Sequence, residues 1–145
     1  MTTLTQADAV EVASSLRPVL LRLSRELRRE AQQFGVTGGQ ATLLAQIEKY
    51  GSIGLGGLAA GEGVSAAAMS KHVDRLEAAG LVTRSTGDDR RRISIELTPA
   101  GRRTLKRVRS HRTAWLAQRL ERLDEDELAA VERALAPLAA LLEDA

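Results

Sequence analysis

Six consecutive residues near the middle of the sequence, Gly87 to Arg92, carry two carboxylates followed by three guanidinium groups. Short runs rich in β-branched residues flank them at 81–84 and 93–97, so the segment is predicted to be the tip of a β-hairpin. Three adjacent arginines repel one another and suit a turn poorly unless an anion compensates them. Guanidinium groups on a projecting hairpin can enter a narrow DNA minor groove, where negative potential is concentrated. The pattern therefore favours DNA as the partner over a turn that is merely solvated.

The rest of the positive charge is also concentrated in the middle of the chain. Among 145 residues there are 21 Lys/Arg and 19 Asp/Glu, a formal net charge of +2. Residues 1–64 hold 6 basic and 6 acidic residues, 65–109 hold 11 and 5, and 110–145 hold 4 and 8. A local excess of this kind indicates a polyanion bound at one place on the surface. A solvated charged face is the commoner alternative, so position in the fold must decide.

The composition excludes several other classes of protein. There is no Cys, hence no disulfide framework and no thiolate metal site, and two histidines, His72 and His111, cannot form a zinc site alone. Apolar runs are shorter than the roughly 20 residues of a membrane span, and no signal peptide is evident, so a cytoplasmic protein is expected. No phosphate loop, nucleophile elbow or metal-binding His pair occurs. We predict one domain, 1–145, with no enzyme activity and no cofactor.

Helical periodicity predicts helices at both ends of the chain. In the first, apolar residues recur from Leu16 to Leu27, and Pro18 requires the helix to begin nearby or to kink after a first segment at 8–15. A second helix is expected from an N-cap at Thr37 to residue 50, with Ala41, Leu44 and Ile47 on its inward face. A short helix is expected in the stretch LGGLAAGEG, ended by Gly61 and Gly63. A long helix follows, with Thr98 as its N-cap and Pro99 in its first position. After a break at Asp124, a last helix carries apolar residues from Leu128 to Leu142 and is kinked at Pro137.

Between the short helix and the hairpin, Ser65 is an N-cap candidate and Gly80 a C-terminal stop, which predicts a helix from about Ala66 to Ala79. Its apolar face consists of Met69, Val73 and Leu76. Short helix, tight turn, capped helix and hairpin, in that order, form a winged helix-turn-helix. The predicted fold class is therefore mainly α with a small β-hairpin, a winged helix-turn-helix lobe flanked by N- and C-terminal helices.

The other face of the capped helix is predicted to meet DNA. Its small first-turn residues let the backbone approach base edges, although helix propensity explains any one of these alanines about as well. Lys71 can donate to guanine or phosphate, and Arg75 to phosphate. With the hairpin tip, the predicted DNA-binding residues are Ser65, Ala66, Ala67, Ala68, Ser70, Lys71, Arg75, Asp89, Arg90, Arg91 and Arg92.

Three stretches, LAAGEGVSAAAMSKHVDRLEAAGLVTR, DDRRRISIELTPAG and VTGGQATLLAQIE, resemble the MarR family of bacterial transcription regulators (multiple antibiotic resistance regulators), in the family's order across essentially the whole chain. The resemblance implies a homodimer formed by helices within 1–34 and 100–145, and a lobe at 37–98 that binds a pseudo-palindromic double-stranded DNA operator. It makes residues 65–79 the recognition helix and 89–91 the wing tip. It also implies that Asp74 pairs with a wing arginine.

The resemblance further implies a pocket between the dimer helices and the DNA lobe that takes a small aromatic or anionic ligand. The residues nearest to it are predicted to be Leu23, Leu27, Leu43, Arg109, Arg112 and Trp115. Two features depart from the family pattern. Gly54 and Gly57 replace the usual cap and acid of the short helix, which should therefore be poorly capped and mobile. The cysteine of the family's peroxide sensors is absent, which excludes that mode of regulation.

Two functions are compatible with these observations. The first is a homodimeric, sequence-specific DNA-binding regulator, a repressor that a ligand releases. The second is a non-enzymatic helical interaction module whose terminal helices assemble with a partner and whose basic hairpin binds RNA or nothing.

Overall fold

The computed structural model describes residues 6–51, 53–86 and 93–143. In chain order they form α1 (Gln6–Glu30), a 3₁₀ helix (Ala31–Phe34), α2 (Gly38–Tyr50), β1 (Ile53–Gly54), α3 (Leu55–Glu62), α4 (Ala66–Ala78), β2 (Val82–Thr86), β3 (Ile93–Leu97), α5 (Pro99–Leu120) and α6 (Glu125–Ala140). The predicted fold class is confirmed, because α3, α4 and the β2–β3 hairpin follow one another as in a winged helix-turn-helix. Within the described residues no helix is long and apolar enough to cross a membrane.

The first helix differs from the prediction. It begins at Gln6 and continues through Pro18 to Glu30. Of the two alternatives, a start near the proline is wrong, and the helix includes the first segment expected at 8–15. Proline removes a single backbone hydrogen bond, and here more than two helical turns on each side retain theirs. The last helix likewise includes Pro137, and it ends at Ala140, two residues earlier than predicted.

Side-chain caps set the beginnings of four helices. Thr37, Ser65, Thr98 and Asp124 each accept a hydrogen bond from the backbone N–H three residues ahead, at 2.8 to 3.1 Å. The first three caps were predicted from sequence. By contrast, α3 begins at Gly54 with no side-chain cap, as the glycine there predicted. Local hydrogen bonding therefore accounts for most of the helix boundaries.

The three strands form one antiparallel sheet in the order β1, β3, β2. Val82 pairs with Leu97 and Thr86 with Ile93, which confirms the predicted hairpin. The third strand, β1, was not predicted, because its two residues are too few to show an alternating pattern. Its pairing with the middle of β3 ties the start of α3 to the hairpin.

The hydrophobic core lies inside the lobe formed by α2, α3, α4, the sheet and the first half of α5. The apolar faces predicted for α2 and α4 are buried there. The fully buried large side chains are Leu44, Ile47, Leu58, Met69, Val73, Leu76, Val82, Ile95, Leu105 and Val108. None of them belongs to α1 or α6, so these two helices contribute little to the core of a single chain.

The end of α4 meets the start of α5 at a close contact, which we call the α4–α5 junction (Gly80, Leu81, Thr98 and Gly101). Thr98 donates its side-chain O–H to the carbonyl of Gly80 at 2.6 Å and its backbone N–H to that of Leu81 at 3.0 Å. Gly80 has a φ of 77°, the left-handed conformation predicted for a helix stop. A Cβ on Gly101 would lie 2.0 Å from the Leu81 carbonyl oxygen, so only glycine permits this approach.

Gly101→Ala should therefore lower the free energy of unfolding by about 1 to 3 kcal/mol, because the added methyl overlaps backbone. Gly56→Ala is the matched control, since an added Cβ there meets nothing within 4 Å inside α3. The control should be neutral or stabilise by up to about 1 kcal/mol. Urea unfolding followed by circular dichroism at one fixed protein concentration measures both changes. Similar values for the two variants would contradict the importance of the junction.

Candidate nucleic-acid interface

Helix α4 is held so that its predicted contact face points outward. Met69, Val73 and Leu76 are buried in the core, which fixes the rotation of the helix about its axis. Of the predicted contact residues on or beside it, Ser65, Ala66, Ala67, Lys71 and Arg75 are exposed, and Ala68 and Ser70 are half-buried. The structure therefore brings these seven residues together on one end and one side of α4.

The beginning of α4 suits a phosphate-rich partner. Ser65 is extended and caps the helix through its Oγ, and the next two residues carry only methyl groups. No acid lies in the first turn. Free backbone N–H groups and the helix dipole give this end positive potential, and Lys71 adds a full charge one turn later. The backbone can therefore come close to a nucleic acid with little steric hindrance.

The hairpin is tied to α4 by the half-buried Arg84 of β2. Its Nη1 lies 2.7 Å from Oδ1 of Asp74 and 3.1 Å from Oε1 of Glu77, and its Nη2 donates to the backbone carbonyl of Ser70 at 3.4 Å. The backbone N–H of Arg84 also donates to Glu77 at 3.2 Å. We call this group the Arg84 clamp. It joins α4 to the β2–β3 hairpin and fixes the orientation of one relative to the other.

The clamp also affects the titration of the guanidinium. Its hydrogen bond with Asp74 raises the pKa of Arg84 above the ordinary value, and the nearby negative charges of Asp74 and Glu77 act in the same direction, whereas burial opposes them. Arg84 therefore carries its positive charge at neutral pH. Sequence reasoning expected Asp74 to pair with a wing arginine but did not single out Arg84, since no local pattern marks which arginine folds back onto α4.

The predicted wing-tip residues, Asp89, Arg90, Arg91 and Arg92, lie outside the described residues, so their role stays a prediction. The strands on either side of the tip are paired as far as Thr86 and Ile93.

Two of the predicted ligand residues, Leu23 and Trp115, line a cavity of about 460 Å³ between α1 and α5. The guanidinium of Arg119 lies 3.6 Å from the centre of the Trp115 ring, a cation–π contact. The remaining lining residues are Val19, Arg22, Arg25 and Glu26. The cavity thus combines an aromatic face, apolar walls and three arginines.

The other four predicted ligand residues do not line this cavity. Leu43 lies against a smaller cavity of about 210 Å³ beneath α4. Arg109 pairs with Glu48 of α2 at 2.6 Å. Arg112 donates its Nε–H to the backbone carbonyl of the half-buried Leu27 at 2.8 Å. The six residues are therefore spread over separate places along α1, α2 and α5.

His111 and Arg112 connect α5 to the end of α1 and to the 3₁₀ helix. His111 contacts a carboxylate oxygen of Glu30 at 2.5 Å, and the ring of Phe34 packs edge-on against it. Burial lowers the pKa of Arg112, and the positive charge of Arg28 acts in the same direction. No group of His, Cys, Asp and Glu within the described residues could hold a metal ion.

An exposed, capped helix with basic side chains, clamped to a two-stranded wing, defines a winged helix-turn-helix DNA-binding protein. Comparison with known proteins agrees with this class. The sequence pattern of the MarR family matches residues 36–93, which extend from the start of α2 to the start of β3. The chain is 30% identical over 130 residues to the HTH-type transcriptional repressor MdtR of Bacillus subtilis, covering 89% of this chain and 84% of that protein.

Two further relatives also support this class of protein. An HTH-type transcriptional regulator of Mycobacterium tuberculosis is 31% identical over 117 residues, which cover 80% of this chain and 82% of that one. The structure of a MarR family protein from Bacillus stearothermophilus superposes with a TM-score of 0.81 at 25% identity, covering 97% and 99% of the two chains. The chain belongs to the MarR family and is a DNA-binding transcription regulator. These relatives are regulators by name and not enzymes, and they give no support to the alternative of a helical interaction module.

Proposed function

We propose that the chain is a homodimeric transcriptional repressor that reads a two-fold symmetric operator with α4 and the wing. The observation that carries this proposal is the outward face of α4, with Lys71 and Arg75 exposed and the helix joined to the wing by the Arg84 clamp. The name of the Bacillus subtilis relative, a transcriptional repressor, supports repression as the outcome of binding.

Each part of this surface has a distinct task in the proposal. The first turn of α4, Ser65 to Ala68, approaches base edges in the major groove, and Lys71 donates to a base or a phosphate. Arg75 binds a phosphate. Asp89 orients its neighbours at the wing tip, and the three arginines there enter the adjacent minor groove.

Replacing Lys71 by Ala should lower affinity for the operator by about 1 to 3 kcal/mol and for random DNA much less, because the variant cannot donate a hydrogen bond to a base.

Replacing Arg90 and Arg91 by Ala should weaken binding to every sequence. It should also reduce the slope of log affinity against log salt by about one unit for each phosphate that the variant no longer neutralises. Fluorescence anisotropy over a salt series measures both effects.

Lys49→Ala, which removes an exposed cation at the end of α2, serves as the control and should change neither quantity. A wing variant with the salt slope of the wild type would show that its arginines do not touch DNA.

Dimerisation is proposed because the two terminal helices expose large apolar side chains. No residue of α6 is buried, although apolar residues recur along it at helical spacing. The exposed residues of α1 and α6 include Val10, Val12, Val19, Leu20, Leu21, Leu23, Leu128, Val131 and Leu135. A second copy related by a two-fold axis would cover these faces and place two α4 helices about one turn of DNA apart.

Replacing Leu135 and Leu138 by Asp should abolish both the dimer and operator binding, since a buried carboxylate opposes an apolar interface. Light scattering should then give the mass of one chain, 15.6 kDa, in place of twice that mass. Arg133→Asp on the same helix is the control for added negative charge. If the wild type itself scatters as a single chain at micromolar concentration, the dimer proposal fails.

Release by a small aromatic acid is the remaining part of the proposal. The cavity between α1 and α5 supports it, because Trp115 offers a ring face and the lining holds three arginines against a single acid, Glu26. Glu26 is itself paired with Arg29 outside the cavity, at 3.5 Å. A carboxylate bound there would offset the excess of positive charge. Because α5 leads directly into the α4–α5 junction, a ligand that shifts α5 would also shift the recognition helix.

Salicylate at millimolar concentration should quench the fluorescence of Trp115, the only tryptophan, and weaken operator binding. Arg22→Gln with Arg25→Gln should abolish both effects, whereas Arg133→Gln should leave them unchanged. If aromatic acids neither quench Trp115 nor weaken binding in the wild type, the acidic-ligand part of the proposal is wrong.

A further inference from the structure

We propose that the exposed face of the first half of α5 is a second contact surface for the phosphates of duplex DNA, separate from α4 and the wing. The surface consists of Arg102, Arg103, Lys106 and Arg107, and we call it the α5 basic stripe. This inference rests on the DNA binding described above and extends it to DNA outside the site that α4 reads.

The charge of this segment is strongly one-sided. Residues 97–120 hold seven Lys/Arg and no Asp or Glu, although the whole chain has almost equal numbers of the two kinds. A helix face that is merely solvated usually mixes both signs, because opposite charges three or four residues apart stabilise it. The absence of any acid here is therefore a feature that folding does not require.

Three of the seven cations are already engaged inside the fold. Arg109 pairs with Glu48, Arg112 donates to a backbone carbonyl of α1, and Arg119 covers the ring of Trp115. The four residues of the stripe are exposed, and within the described part of the chain none of them forms a salt bridge. Their charge is available to a partner.

Helix geometry gathers these four cations on one side. Gly101, Leu105 and Val108 are buried, and at about 100° per residue the stripe spans about 140° on the opposite side of α5. Farther along the same outward side the residues are small and neutral: Ser110, Thr113, Ala114 and Ala117. The positive charge is thus confined to the half of α5 that adjoins the DNA-binding lobe.

The arrangement is unfavourable for an isolated helix. Arg102 and Lys106, and likewise Arg103 and Arg107, are like charges four residues apart, which destabilise a helix. Both pairs begin in the second turn of α5, near the helix end at which the dipole disfavours cations. A bound polyanion would compensate both effects, whereas water and salt would do so only in part.

The length of the surface also suits a phosphate backbone. An open groove of about 560 Å³ runs beside the stripe and is lined by Phe34, Lys106, Arg107, Ser110 and His111. The stripe extends over about 7.5 Å of the helix axis, which is close to the axial distance covered by two phosphates of one DNA strand. Each chain could therefore neutralise about two phosphates, with the Ser110 hydroxyl as an additional donor.

The position of the stripe determines which DNA it can reach. The α4–α5 junction places the start of α5 at the end of α4, about 20 Å along that helix from the first turn that enters the groove. The stripe is therefore too far from Ser65 to share the base contacts proposed for the first turn of α4. It would bind either the flanks of the same duplex, bent towards α5, or a second duplex, and the chemistry recognised is the same in both cases.

The test compares the wild type with Arg103→Gln/Arg107→Gln, a variant whose substitutions keep helix propensity high. Lys49→Gln/Arg122→Gln, which removes the same charge from exposed positions elsewhere, is the matched control. Circular dichroism and light scattering establish that all three proteins are folded and in the same oligomeric state. The probes are an operator duplex of about 20 base pairs, selected from random DNA by the protein itself, and a duplex of about 60 base pairs with the same site at its centre.

If the stripe binds flanking DNA, the wild type and the control bind the long duplex more tightly and with a steeper salt slope than the short one. The variant should lose this gain, with a slope lower by about two units per bound chain. If the stripe binds a second duplex, energy transfer between donor-labelled and acceptor-labelled short duplexes appears with the wild type and control and disappears with the variant.

The proposal is overturned if the wild type shows neither a length effect nor energy transfer, or if variant and control lose them equally, which would indicate net charge alone. Absence of wild-type binding to the short duplex would instead contradict the reading of the operator by α4. The difference in affinity between the long and the short duplex tests the role of the stripe separately from the reading of the operator by α4.

Discussion

The contact between Gly101 and the carbonyl of Leu81 is the constraint on which the geometry of the candidate DNA-binding surface depends. With no side chain at position 101, the backbone of α5 rests directly on the turn that ends α4, and Thr98 fastens that turn with two hydrogen bonds. The same short segment ends β3 and starts α5. The relative directions of α4, the β2–β3 hairpin and α5 are therefore set at the α4–α5 junction.

Within the lobe, the Arg84 clamp adds a second connection. It joins the solvent side of α4 to β2 by charged hydrogen bonds, whereas the opposite side of α4 is held by apolar packing. Exposed ion pairs contribute little to stability, so the clamp matters chiefly for orientation. Because a DNA site is read correctly only when helix and wing meet successive grooves together, a fixed angle between them is a requirement of function and not of folding.

Helix α5 connects this lobe to α1 and to the cavity between α1 and α5. Arg109, His111 and Arg112 tie its middle to α1 and α2 through side-chain contacts of 2.5 to 2.8 Å, and its far end forms the cavity with Trp115. The α1–α5 cavity and the α5 basic stripe are therefore both connected through α5 to the α4–α5 junction.

Interactions between residues close together in the sequence made many of the helix boundaries and buried faces predictable from the sequence alone. Caps at Thr37, Ser65 and Thr98, the stop at Gly80 and the apolar face of α4 depend on neighbours within a few residues, and all were found as expected. The family resemblance was likewise carried by contiguous stretches. Other features depend on residues far apart in the chain, and only the tertiary structure decided them: the pairing of β1 with β3, the choice of Arg84 as the partner of Asp74, and the separation of the six predicted ligand residues. The spacing of apolar residues shows on which face of its helix a side chain lies. The residues that this side chain contacts depend on how whole helices and strands pack together.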